Sequence, residues 1–456
     1  MTDRNSKNSR RFRSLAGLLL IAILLSGCGS ATILMPTPNV YARATSNPFE
    51  DVPPALQNNH VDVMYLTDRV TEGKPEGGIE YGYKRSRAVA YGVATVDIGK
   101  NVSWDELVKA SRSPIRLPNL ILTVSNITEW GRFPSTPRSL IQLQAPTTLP
   151  TTGLTLAGDI NDEAQVAAEE AFHKELSARL ALSPVKEVYL FVHGYANTFD
   201  DSVETIAGVW HFLGRRGVPI AYSWPAGGKG LLRGYTYDTE SSEFTVSHLE
   251  QMLRVIASCP DVKKVNIICH SRGTDTTVTA LRELHLEITA SGHSTREVLK
   301  LGTLVLAAPD IDLDVVIQKI LTVRLGQVPE RFTMYVCSGD KALGLSEWLF
   351  GGIIRLGELK ATMFSPAELK VLRSSKTNQI VNADVTNPGD FGHNYFHANP
   401  AVSSDLVLLM RYHLPPGDEY GRPLLTKENG FWAVDDAYPK QSKELESAII
   451  DKDLNK

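Results

Sequence analysis

Cysteine is scarce in this chain: four among 456 residues. A disulfide framework needs more, and Cys28 stands apart near the start, leaving Cys259, Cys269 and Cys337 as an odd set expected to be buried thiols. Basic excess is also missing. Lys and Arg number 47 against 51 Asp and Glu, a formal net charge of −4, which argues against nucleic acid or an anionic surface as an electrostatic partner. There are no repeats and no sustained heptads. Gly227-Gly228-Lys229-Gly230 lacks the spacing of a phosphate-binding loop. Asp310, Asp312 and Asp314 alternate without the glycine and distal glutamate of a calcium loop. The chemistry read below requires no metal or cofactor.

The start of the chain is basic and then apolar. Lys7, Arg10, Arg11 and Arg13 precede Leu15 to Leu25, an eleven-residue run too short to span a bilayer and suited to a secretion signal. Leu25-Ser26-Gly27-Cys28 resembles a bacterial lipobox, with Cys28 as the lipidated residue. Gly29, rather than aspartate, then points to the outer membrane, facing the periplasm. Residues 1–27 are read as the signal; losing their five positive charges and one negative takes −4 to −8.

Residues 28–55, rich in Pro, Asn and Thr, read as a flexible tether. Val61 to Thr67, Arg87 to Ile98 and Leu120 to Ile127 have strand character, and residues 131–160 read as an irregular excursion. Glu163 to Leu182 has helical spacing. From Lys186 onward strands alternate with helices, near 187–193, 218–223, 262–269, 299–307, 332–338 and 378–384. Such alternation predicts a mostly parallel central sheet with helices on both faces. One domain over 56–440 is expected, with residues 342–376 inserted as a helical cap and residues 441–456 as a polar tail.

Val265-Asn266-Ile267-Ile268 runs into Cys269-His270-Ser271-Arg272-Gly273, and a helix-like segment follows. A serine between a strand's end and a helix's start, with glycine two residues on, has the layout of a nucleophile elbow, in which a sharp turn exposes the hydroxyl. Cys269 takes the place of the usual first glycine and is small enough to keep the packing close. Upstream, Val188 to Val192 ends in His193-Gly194-Tyr195. Backbone N–H groups of Tyr195 and Arg272 would then form an oxyanion hole. Downstream, Ser338-Gly339-Asp340 follows a strand, and Phe391-Gly392-His393-Asn394 forms a Gly-flanked loop. The order Ser271, Asp340, His393 is that of an α/β-hydrolase triad. The residues alone leave rivals: Asp310 after the preceding strand as acid, and His397, four positions past His393, as base. His193 and His270 read as structural, and Asp68 and Asp238 as capping or ion-pairing carboxylates.

The chain resembles the bacterial α/β-hydrolases grouped as domain of unknown function 900. The likeness rests on Tyr65-Leu66-Thr67-Asp68-Arg69, Phe191-Val192-His193-Gly194-Tyr195, Ser223-Trp224-Pro225, Tyr237-Asp238, His270-Ser271-Arg272-Gly273, Ala308-Pro309-Asp310-Ile311-Asp312, Ser338-Gly339-Asp340-Lys341-Ala342-Leu343 and Gly392-His393-Asn394-Tyr395. Arg272 departs from the methionine usual in that group, and Asn394 from a common serine. The resemblance implies an α/β-hydrolase fold and favours His393 over His397. It also implies a serine hydrolase of carboxylic esters, small-molecule or lipid, anchored in the bacterial envelope through Cys28. Acyl transfer, peptide cleavage and a binding role on a hydrolase scaffold are the alternative readings.

Overall fold

The computed structural model describes residues 32–73, 78–136, 159–228, 231–312, 317–337, 377–386, 392–426 and 431–454, with residues 315 and 375. Its centre is a sheet of strands β1 (His60–Gly73), β2 (Ile79–Ile98), β3 (Leu122–Arg132), β4 (Glu187–Val192), β5 (Val218–Ser223), β6 (Lys264–His270), β7 (Leu301–Ala307), β8 (Arg331–Val336), β9 (Asn378–Asp384), β10 (Leu425–Thr426) and β11 (Trp432–Asp435). Their order is β10-β11-β9-β8-β7-β6-β4-β5-β1-β2-β3. From β11 to β1 every pairing is parallel; β2, β3 and β10 add antiparallel edges.

The parallel strands are short and almost uninterruptedly apolar because both faces are covered. β4, β5, β6 and β7 show next to no alternation of exposure. One face carries α1 (Asn39–Ala42), α4 (Phe199–Phe212) and α10 (Pro400–Met410), which bury Tyr41, Phe212, Val407 and Leu409. α2 (Trp104–Ala110) joins this core through Leu107. The other face carries α3 (Asp159–Leu182), α6 (Val246–Ser258) and α7 (Gly273–Ala290), with Phe172, Leu249 and Leu281 inside; α5 (Leu231–Phe244) precedes α6 and α8 (Thr295–Leu299) follows α7. From β4 the chain pairs β5 on one side, between β4 and β1, and then β6 on the other. That reversal opens a crevice beyond the strand ends, where open α/β sheets bind ligands.

The strands from β4 to β9 lie where the sequence places them, within about two residues. Four expectations change. β1 and β2 extend into a long antiparallel ribbon, to Gly73 and from Ile79. β3 runs to Arg132, into the start of the supposed excursion. The tether is, from Thr32 onward, a docked segment: Leu34, Met35, Val40, Tyr41, Phe49 and Val52 are all buried. Tyr41 donates its hydroxyl to the Phe212 carbonyl at 2.7 Å and accepts from Arg411 Nη1 at 2.7 Å. Spaced apolar side chains, not overall composition, decided its fate. The polar tail forms α11 (Lys443–Leu454), pinned by buried Leu445. Residues 1–31 and the expected cap, apart from residue 375, lie outside the described residues.

Candidate active site

Ser271 sits between β6 and α7 with φ +52°, a left-handed backbone that a side-chain-bearing residue holds only when its surroundings impose it. Those surroundings are visible. The Ser271 N–H donates to the Ala307 carbonyl at 3.0 Å, and its own carbonyl accepts from the N–H groups of Thr274 at 3.1 Å and Asp310 at 3.3 Å. Two glycines make room. A methyl on Gly194 would lie 2.6 Å from Ser271 Cβ, and one on Gly273 would collide with the His193 carbonyl oxygen. The strand–turn–helix geometry of a nucleophile elbow is therefore present. Cys269 is fully buried at the substituted glycine position and donates its thiol to the Val305 carbonyl at 3.2 Å. Burial pushes its pKa well up, so it stays a thiol. Cys259 and Cys337 are buried thiols as well.

The turn after β4 faces this elbow. Gly194 N–H donates to Asn197 Oδ1 at 3.1 Å and Ala196 N–H to Asp238 Oδ2 at 2.9 Å. The Tyr195 N–H between them, and the Arg272 N–H, donate to no partner among the described residues. Both are backbone donors of the type an oxyanion hole requires. Asp238 also accepts from Gly227 N–H and Gly228 N–H, each at 3.1 Å from Oδ1, and so ties this turn to the loop after β5. Burial raises its pKa while those three N–H groups oppose the rise. Asp238 and Asp68 have the structural roles expected of them: Asp68 accepts from Thr245 Oγ1 at 2.6 Å and bonds His248 Nδ1 at 2.8 Å.

His193 is also structural. Its ring stacks on Trp224, 5.0 Å away and 8° from parallel, with Nδ1 2.9 Å from the Gly194 carbonyl and Nε2 3.3 Å from Arg69 Nη2. Nε2 also lies 3.1 Å from the Trp224 carbonyl, so a neutral ring donates through one nitrogen only, from Nδ1 to Gly194 or from Nε2 to Trp224. Burial, helped by Arg69's charge, lowers its pKa to about 3. Arg69 is the residue whose role the sequence did not disclose. Fully buried, it donates Nε to Ser223 Oγ at 3.0 Å, Nη1 to the carbonyls of Gly82 at 3.1 Å and Ala226 at 2.9 Å, and Nη2 to that of Asn197 at 2.8 Å. Burial alone lowers its pKa, to about 10, against the pull of Asp68 and other carboxylates. Its signals in the sequence are a charged residue at the end of an apolar run and its place in the family-like stretch Tyr65 to Arg69.

His393 is half-buried on the loop before α9 (Tyr395–Ala398). Its ring centroid is 4.8 Å from that of His270, and His270 Nε2 reaches the His393 carbonyl at 3.3 Å. The residue preceding the serine thus grips the backbone of the candidate base. Burial first, then the nearby charges of His393 and His397, drive the His270 pKa well down. His397 lies one turn along α9; burial and then Arg116's charge lower its pKa to about 4. Asp310, the alternative acid, is buried and paired with Arg272 Nη2 at 3.5 Å. Arg272 also donates to Tyr235 OH at 2.6 Å and lies 3.6 Å from Asp275, which Lys319 joins at 2.7 Å. Tyr235 in turn packs against Tyr195, with ring centroids 5.4 Å apart. The Tyr195 turn and Arg272 therefore adjoin Ser271, and His393 lies beside His270, the residue before Ser271; Asp340 and Cys28 lie outside the described residues. Among the described residues no three His, Cys, Asp or Glu side chains cluster as metal ligands.

No curated protein matches the chain. Residues 168–411, the span from α3 to the end of α10 that carries Ser271 and His393, match the model for alpha/beta hydrolases of unknown function (DUF900), and the chain belongs to that family.

Proposed function

We propose that the chain is a serine hydrolase of carboxylic esters, with Ser271 as nucleophile, His393 as base and Asp340 as the acid orienting it. The observation that carries this reading is the strained Ser271 turn beside two backbone N–H groups without partners among the described residues. In this scheme His393 takes the Ser271 proton as Oγ bonds to the ester carbonyl carbon. The oxygen, now negative, is received by the N–H groups of Tyr195 and Arg272, each contributing about 3–4 kcal/mol where such donors have been removed. The ester C–O bond breaks, the leaving alcohol takes the proton, and water attacks the acyl-enzyme by the same route. Asp340 accepts the second imidazole N–H; Asp310 is less suited because Arg272 already pairs with it. His397 is less suited as base because burial lowers its pKa to about 4, which makes it a weak proton acceptor.

The same reading makes the protein a lipoprotein, with Cys28 lipidated and the hydrolase held at the outer membrane on its periplasmic side. No helix among the described residues is long and apolar enough to cross a membrane. Fluorophosphonate labelling of the detergent-solubilised full chain tests the chemistry. Labelling is expected in the wild type and in His397→Ala, and its loss in Ser271→Ala and His393→Ala. A folded wild type that takes no label overturns the hydrolase reading.

A further inference from the structure

We propose that the loop from Pro114 to Ile121 is a bilayer-docking surface, seated on the envelope lipids beside the point where the chain runs back to Cys28. This rests on the lipid-anchor reading of Cys28. Among the described residues, three of the ten exposed large apolar side chains, Ile115 (71% exposed), Leu117 (39%) and Ile121 (38%), fall within seven consecutive residues. The other seven are spread from residue 166 to residue 450. A concentration of that kind marks an interaction surface rather than ordinary scatter.

The loop is held in this exposed form. Arg116 donates Nε to the Leu34 carbonyl at 2.9 Å and Nη2 to that of Ile33 at 2.8 Å. Leu34 N–H donates to the Leu120 carbonyl and Leu122 N–H to that of Thr32, each at 2.7 Å. Leu120 and Leu122 turn inward and are buried, so the outward side chains are left on a fixed scaffold. The charge fits as well. Although the chain's net charge is negative and Asp105, Glu106 and Glu129 flank this stretch, residues 107–128 themselves carry Lys109, Arg112 and Arg116 and no Asp or Glu, a local sign that anionic headgroups attract.

The occupant follows from reach. Cys28 precedes Thr32 by four residues, which span at most about 14 Å fully extended. An acyl chain on Cys28 therefore brings the bilayer surface to the strand that carries the loop, whatever path the intervening residues take. A single lipid signal binds reversibly, and interfacial apolar side chains with cations supply a second.

The test places an environment-sensitive nitrobenzoxadiazole label at Ile115→Cys in the full chain. The chain is reconstituted on phosphatidylethanolamine vesicles with a minority of phosphatidylglycerol and nitroxide-labelled phosphatidylcholine. Leu286→Cys is the reference: it is 44% exposed on α7, across the sheet from Leu34 and Leu120. Mass spectrometry of the Cys28 peptide reads the anchor separately. The expected result is a blue shift and nitroxide quenching at position 115 and neither at 286. A lipidated chain whose position-115 label stays in water overturns the docking alone. An unmodified Cys28 overturns the anchor and the docking with it. A blue shift that rises with protein concentration in the absence of vesicles would mark contact between copies and overturn the lipid assignment.

Discussion

Arg69 and Arg272 both reach the turn around Tyr195, and their partners are of different kinds. Arg69 donates to three backbone carbonyls and a serine and lies against the His193 imidazole, partners drawn from β2, the end of β5 and the loops after β4 and β5. No carboxylate among the described residues pairs with it directly, although Asp68 is its sequence neighbour; Asp68 serves Thr245 and His248 instead. Arg272 pairs with Asp310 and Asp275, and Lys319 shares Asp275. One guanidinium satisfies backbone that loops leave unpaired in the interior; the other belongs to a balanced group of two cations and two carboxylates. Buried loop carbonyls must find donors, and a five-donor planar group meets several at once. The first arrangement is therefore a geometric tie with no simple replacement. The second, with its ion pairs at 3.5 and 3.6 Å, tolerates exchange.

The contrast breaks most sharply at Arg69. Arg69→Met keeps the bulk and strands the carbonyls of Gly82, Ala226 and Asn197, so unfolding in urea should show a loss of about 3–5 kcal/mol. Fluorophosphonate labelling of Ser271 should fall with it, because the Tyr195 turn loses its tie. A loss below about 1 kcal/mol would contradict the tie.

Acid should weaken the Arg69 side next. The His193 pKa is lowered from 6.5 to about 3, so the unfolded chain takes up a proton first as pH falls. Its stabilisation is complete above pH 6.5 and is lost as pH falls toward 3, at up to about 1.4 kcal/mol per pH unit. His211, His270 and His397, also lowered, act in the same direction. The stability–pH slope of His193→Asn between pH 6.5 and 4 should be shallower than the wild type's by up to one proton. An unchanged slope would mean that His193 is not held neutral.

The smallest effect is expected at Arg272. Arg272→Met should cost about 1–3 kcal/mol by removing the cation beside buried Asp310, and Arg272→Met with Asp310→Asn should recover most of it. Thermal unfolding of the two variants reads this difference. A double variant no more stable than the single one would show that Arg272 acts through Tyr235 packing instead.

Local rules carried far in some places and stopped in others. β4 to β9 were legible because strands buried on both faces are uniform apolar runs, and Ser271 because the elbow compresses its strain into adjacent residues. Residues 32–55 were misread because Pro, Asn and Thr dominate their composition while a few spaced apolar side chains dominate their energetics. α11 was misread for the same reason, with Leu445 as its anchor.

By itself the sequence determined the strand–helix alternation, the nucleophile turn and the family, since each depends on residues close together along the chain. Tertiary structure alone decided that Arg69 ties four separate segments, that His270 grips the backbone of His393, and that Ile115, Leu117 and Ile121 stand outward beside residues 32–34. Those facts join positions tens to hundreds of residues apart. Burial and hydrogen-bond satisfaction at such range depend on how the sheet is wound, which no local pattern records.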